Sequence, residues 1–232
     1  MKAEKPEIIV TGDGSKTLYL PVMNEHYHSS HGAIAESKHI FIDAGFKAMR
    51  GKACSLTILE MGFGTGLNAL MTFLEARQSG KEKGKIHYVA AEAFPVEKEL
   101  WTQLDYPVRF SDGDAGDIFV KMHECPWDLP FFISDDFVLN KLKADFSDLE
   151  FKDGSFDLVY FDAFAPDLQP ELWSEEIFKR VFSAMRPGGV LVTYSAKGSV
   201  KRALQMAGFV VEGLPGPKGK REITRAVRPS VH

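Results

Sequence analysis

The sequence predicts an α/β fold: a seven-stranded, mostly parallel sheet with its last strand antiparallel, preceded by a β-hairpin and helix. Three observations carry this. From Leu56 onward, short apolar runs alternate with stretches of helical periodicity. A glycine-rich turn separates the first apolar run from the first helix, as at a ligand-binding strand–helix junction. The last two runs follow one another without a helix, which returns the chain antiparallel. A length of 232 residues favours one large domain with an elaboration. The expected division is an N-terminal extension over residues 1–50, packed on a core domain over residues 51–232.

In the extension, residues 7–10 and 17–20 read as strands around the turn Gly12-Asp13-Gly14. Residues 26–31 are a polar loop, and 33–41 suit a helix. In the core, residues 56–61 are a buried strand. Leu67, Leu70, Met71 and Leu74 mark a helix over 67–79, ended by the glycines at 80 and 84. Residues 86–92 form the second strand. Pro95 opens a helix to residue 104. Residues 114–123 suit a helix, and 137–144 a strand. The segment FDLVYFD (156–162) is the clearest strand of the chain. A helix over 171–185 ends at Pro187-Gly188-Gly189. A strand over 190–194, a helix over 199–207 and strands over 209–214 and 222–227 close the chain.

Composition excludes several classes. With 44% apolar and 26% charged residues, the chain is neither disordered nor low in complexity. No run approaches the roughly 18 apolar residues that span a bilayer, and residues 1–20 lack a signal-peptide core. Two cysteines, Cys54 and Cys125, make no disulfide framework, so a reducing cytoplasm is expected. Net charge is −4, yet residues 197–232 carry eight Lys/Arg against two Glu. Such a basic end can meet a polyanion locally, or be only a solvated surface.

The sharpest motif is Glu60-Met61-Gly62-Phe63-Gly64-Thr65-Gly66. Its glycines let a ligand approach the backbone, and the helix N-terminus favours an anionic group. Leu67 occupies the position where a dinucleotide loop needs its third glycine, and the Lys-Ser/Thr pair of a phosphate loop is missing. NAD and ATP are therefore disfavoured. The acid-x-Gly-x-Gly-x-Gly pattern resembles motif I of class I S-adenosylmethionine (SAM) methyltransferases, which are Rossmann-like. Glu92, ending the second strand, suits a pair of ribose hydroxyls. Asp145 and Phe146 suit an adenine amino group and ring, although acidic neighbours Asp148, Glu150 and Asp153 compete. Asp162 leaves the fourth strand toward the place where a methyl group would transfer; a turn-capping Asp is the plainer alternative. His26, His28 and His31 match no zinc spacing, so no metal is expected.

Together these residues resemble the MnmC/MnmD family, bacterial SAM-dependent methyltransferases of the modified wobble uridine in tRNA. The blocks that carry the resemblance are LEMGFGTGLNAL (59–70), EAFP (92–95), YFDAFAPDLQPELW (160–173), GPKGKRE (216–222) and HYHSSHGAIAESKHIF (26–41). The resemblance implies SAM binding by Glu60, Gly62, Gly64, Thr65, Gly66, Asn68, Glu92, Asp145 and Phe146, and catalysis by Asp162. It implies methylation of 5-aminomethyl-(2-thio)uridine in the tRNA anticodon stem-loop to the 5-methylaminomethyl product. Tyr27, Phe164, Pro166 and Trp173 are candidates to hold the base, and Lys218, Lys220 and Arg221 to hold phosphates. Two-domain relatives carry an FAD oxidoreductase domain that exposes the amine. The short segment after Glu222 implies that this chain works without FAD and receives its substrate from another enzyme. The alternatives are a class I methyltransferase or aminopropyl transferase acting on a small-molecule or protein amine, and a non-catalytic scaffold of the same fold.

Overall fold

The structure, a computed structural model, describes residues 5–50, 55–78 and 84–230. Cys54, the helix end expected at residues 79–80 and the domain junction at 50/51 fall at or beyond the edges of these segments. Strand β1 (Glu7–Val10) pairs antiparallel with β2 (Lys16–Leu20), with Ile9 opposite Thr17. Asp13 holds the turn by accepting from the Ser15 amide at 3.0 Å. A short β3 (Glu25–His26) adds to β2, so part of the expected polar loop is strand.

The helix expected over 33–41 runs further. It is α-helical at α1 (Ala33–Ser37), a π-helix over Lys38–Phe46, and α-helical again at α2 (Lys47–Arg50). Its buried residues include Ile40, Phe41, Ile42 and Phe46. Gly45 allows it to lie on the sheet, since a Cβ there would come within 2.9 Å of Val192. The extension thus covers part of one sheet face.

The main sheet contains β4 (Leu56–Met61), β5 (Ile86–Ala91), β6 (Phe131–Ser134), β7 (Phe137–Leu142), β8 (Phe156–Phe161), β9 (Met185–Thr193), β10 (Val210–Pro215) and β11 (Glu222–Val227). Their order is β10-β11-β9-β8-β4-β5-β7-β6. The five central strands are parallel. β11 runs antiparallel between β9 and β10, as expected of the last strand. The sheet has eight strands rather than seven. β6 is a four-residue antiparallel edge strand with Phe132 exposed, too short for a periodic signal.

The central strands are buried on both faces because helices cover both. Ile58, Leu158, Val190 and Val192 point to the side of Phe41, Leu70 and Phe73. Their neighbours Leu59, Val159 and Leu191 point to the side of Phe178, Val181 and Leu204. This is the two-residue alternation of a strand. The helices are α3 (Leu67–Gln78), α4 (Lys98–Trp101), α5 (Ala115–Glu124), α6 (Glu175–Ala184) and α7 (Gly198–Met206). The helix expected over 95–104 is only α4, because Glu97 is still extended. The helix expected over 171–185 is a 3-10 turn, Pro170–Trp173, followed by α6. Ser174 divides them as N-cap, accepting from the Ile177 amide at 3.4 Å. Pro187-Gly188-Gly189, read as a helix stop, lies within β9. No helix among the described residues is long and apolar enough to cross a membrane.

Candidate active site

Parallel strands put their carboxyl ends on one edge of a sheet, where ligands of open α/β folds bind. A cleft of about 330 Å³ opens there and is lined by residues following β4, β5, β7, β8 and β9. Tyr27, His28 and Glu36 of the extension form another wall.

The loop after β4 turns through left-handed backbone at Gly62, Gly64 and Gly66, with φ of 89°, 49° and 72°. A Cβ on Gly64 would lie 3.1 Å from the Tyr27 ring. The loop is held from both sides. The Gly64 amide donates to Glu92 Oε2 at 2.9 Å, tying the loop to the end of β5. His28 Nε2 meets Thr65 Oγ1 at 2.7 Å, and His123 Nε2 donates to the Thr65 carbonyl at 3.2 Å. Burial lowers the pKa of His28 to about 4 and that of His123 to about 3. Glu60 lies buried beneath the loop, and burial pushes its carboxyl well above the ordinary range. Its Oε2 has no hydrogen-bond partner.

This cradle fits SAM. Left-handed backbone at Gly62 in the cleft wall, the orphaned oxygen of Glu60 beneath the loop and the cleft-lining carboxylates of Glu92 and Asp145 suit a zwitterionic methionine and a ribose-adenine group. Asp145 also caps a short turn by accepting from the Ser147 amide at 2.8 Å. Phe146 lines the cleft beside it.

Asp162 stands at the end of β8. Its Oδ2 accepts from Asn68 Nδ2 at 2.9 Å, and Asn68 Oδ1 accepts from the Ser37 hydroxyl. Burial, then the charge of Glu36, raises the pKa of Asp162 to about 7 against the opposing effects of Asn68 and Lys220. That is where a general base works best near neutrality. Tyr27 and Phe164 meet edge to face beside it, with ring centroids 5.3 Å apart.

The cleft therefore gathers Tyr27, Gly62, Thr65, Asn68, Glu92, Asp145, Phe146, Asp162, Phe164 and Lys220. Other expected residues stand elsewhere. Pro166, Glu60, Gly64 and Gly66 are not among the lining residues: Glu60 is buried beneath the loop, Gly64 faces the Tyr27 ring, and Gly66 faces His123 and Phe63. Trp173 is buried below the cleft, where its indole N–H donates to the Phe164 carbonyl at 2.8 Å; it shapes the wall rather than meeting a base. Lys218 and Arg221 are exposed outside, whereas Lys220 turns inward to Glu36 at 2.7 Å. The three basic side chains therefore do not form one cluster. The histidines of the 26–31 segment face different partners. His26 stacks near Tyr19, His28 bonds Thr65, and His31 packs on Gly219. Sequence reading missed Glu36 and Tyr194, both of which line the cleft.

The fold and this site define the class of the protein, an S-adenosyl-L-methionine-dependent methyltransferase. The family described as "S-adenosyl-L-methionine-dependent methyltransferase" matches residues 135–229. Within that class the chain is MnmC-like. It is 30% identical to the tRNA 5-methylaminomethyl-2-thiouridine biosynthesis bifunctional protein MnmC of Cupriavidus necator, over 96% of this chain and 34% of that protein. The chain thus spans about a third of the length of the curated relatives it matches. It superposes on the crystal structure of MnmC2 from Aquifex aeolicus with a TM-score of 0.76 and 26% identity, covering 99% of this chain and 72% of that one. Spermidine synthase from Thermotoga maritima shares the fold, with a TM-score of 0.53 and 13% identity over 97% of this chain and 73% of that one.

Proposed function

We propose that this chain methylates the amine of 5-aminomethyl-(2-thio)uridine at the tRNA wobble position, giving the 5-methylaminomethyl product. The carrying observation is Asp162, a carboxylate of pKa about 7 in the wall of a cleft that fits SAM, beside the Tyr27–Phe164 aromatic pair. The name of the C. necator relative, a tRNA 5-methylaminomethyl-2-thiouridine biosynthesis protein, supports the choice of acceptor.

Bound SAM supplies an activated methyl group. Everything else falls to side chains of the chain. Asp162 accepts a hydrogen bond from the neutral amine, aims its lone pair, and takes the proton that nitrogen sheds once the N–C bond forms. Asn68 fixes the carboxylate's rotation. Tyr27 and Phe164 hold the base once it has left the anticodon stack. Glu60, the loop glycines, Thr65, Glu92, Asp145 and Phe146 hold the methyl donor. Methyl transfer itself needs neither FAD nor a metal, and it acts on tRNA in the cytoplasm once the amine has been exposed.

The test is methyl transfer from radiolabelled SAM to bulk tRNA from a strain lacking the modification. Label in 5-methylaminomethyl nucleosides supports the reading. Label only in small amines or protein would replace it with the alternative acceptors, and no SAM binding by calorimetry would leave a scaffold.

A further inference from the structure

An ammonium group carries three N–H donors. Lys220 Nζ meets Glu36 Oε1 at 2.7 Å on one side and lies 4.3 Å from the centroid of the Tyr194 ring on another. Both partners are themselves fixed. Glu36 is buried, and its Oε2 accepts from the Ser29 amide at 2.7 Å. The Tyr194 hydroxyl donates to the carbonyl of Ala163, the residue after Asp162, at 2.9 Å. Glu36, Tyr194, Lys220 and Asp162 all line the one cleft.

The C-terminal turn is shaped to deliver this lysine. Gly219 has φ of 88°, and a Cβ there would overlap the His31 ring. A Cβ on Gly216 would overlap the Lys220 carbonyl oxygen. The glycines of the GPKGKRE block therefore let the turn fold against the N-terminal loop, with Lys220 inside and Lys218 and Arg221 outside. A partly desolvated cation, oriented in advance by a buried carboxylate and a ring face, is built to meet an electron-rich oxygen.

We propose that Lys220, held by Glu36 and the Tyr194 ring, hydrogen-bonds the ring carbonyl oxygen beside the aminomethyl arm of the acceptor base and so sets the amine against Asp162. This rests on the acceptor proposed above. In a 5-substituted uracil the C4 carbonyl adjoins the carbon that bears the arm. One hydrogen bond at that oxygen and one at the amine fix the ring within its own plane. The same cation disfavours an acceptor still protonated on nitrogen, which has no lone pair to offer. Lys220 thus selects the acceptor and leaves the methyl donor alone. Two other roles are physically distinct: an ion-pair staple between α1 and the C-terminal turn, and a contact to the tRNA backbone.

The experiment compares Lys220→Met, Glu36→Gln and the double variant in the full chain, each checked for thermal unfolding and SAM affinity. Lys220→Met should lower the single-turnover rate at saturating undermodified tRNA about ten- to hundredfold, the effect of losing one charged hydrogen bond. SAM affinity should stay within about twofold, and the salt dependence of tRNA binding should not change. The double variant should be no faster than Lys220→Met. Recovery of the rate in the double variant would show a staple, because removing both members of a buried pair is often neutral. A shallower salt dependence would show a phosphate contact, and a wild-type rate in Lys220→Met would show no role at all. Each of these overturns the inference while the methyltransferase reading stands. Failure of the unaltered protein to methylate tRNA overturns both.

Discussion

Asn68 Nδ2 lies 2.9 Å from Asp162 Oδ2, and the far side of the same amide is held by the Ser37 hydroxyl. The residue at the start of α3 thus fixes the carboxylate at the end of β8, and the extension fixes the amide. Three separated segments set the position of one oxygen. Because Asn68 donates, it favours the ionised form of Asp162, the form that accepts a proton.

Asp162→Asn should slow single-turnover methylation by about two to four orders of magnitude, the range for a positioned general base. SAM affinity should change little. In the unaltered protein the rate should rise with pH through about 7, as Asp162 ionises. A pH-rate profile of the Asn variant with that rise intact would assign it to another group.

Asn68→Ala should move the rise to higher pH, because the hydrogen bond that lowers the pKa of Asp162 is gone. Ser37→Ala should move it the same way by less. Profiles in which only the plateau height changes would reduce Asn68 to a packing role.

Gly64→Val places a branched side chain at φ of 49° and drives its Cβ toward Tyr27 at 3.1 Å. Left-handed strain costs about 1–3 kcal/mol, so the loop should rearrange and lose about tenfold or more in SAM affinity. Calorimetry on a variant with normal circular dichroism decides this.

Much of this site was legible in the sequence, and the reason is local. Glu60 to Gly66, Glu92 and Asp162 sit at strand ends, and strand ends in an α/β chain share one edge by topology alone. The inward turn of Lys220 was not legible. It depends on Glu36, 184 positions earlier in the chain, and no local pattern carries that distance. Trp173 was misread for a related reason. An aromatic in the loop that follows a strand-end acid looks like a base platform until Phe161 and Tyr194 are seen packed on it. The π-helix over Lys38–Phe46 and the edge strand β6 left no periodic signal to count.

His28 links pH to stability. Its pKa falls from 6.5 to about 4 because burial disfavours the charged ring. Between those values the unfolded chain binds the proton and the folded chain does not, so the stability of the neutral ring is present above pH 6.5 and lost as pH falls toward 4. His28→Gln should lose less stability than the unaltered protein over that window, by up to about 3 kcal/mol. Urea unfolding at pH 7, 5.5 and 4 measures it. Parallel curves for the two proteins would mean that His28 does not titrate with folding.

The basic end of the chain gives the last prediction. Most of its eight cations are engaged inside the protein. Lys197 pairs with Asp167, Lys201 with Glu222, Lys220 with Glu36 and Arg225 with Glu212, while Arg228 donates to the carbonyls of Phe182 and Ser183. Lys218 and Arg221 are exposed and have no acidic partner among the described residues. They flank the turn that carries Lys220 into the cleft, so a tRNA whose base enters there passes its backbone near them. Replacing both by Ala should weaken tRNA binding at low salt and reduce the log–log salt slope by about one unit for each phosphate left unneutralised. SAM affinity and the single-turnover rate at saturating tRNA should be preserved, since neither residue lines the cleft. An unchanged salt slope in the double variant would place the tRNA backbone on another face.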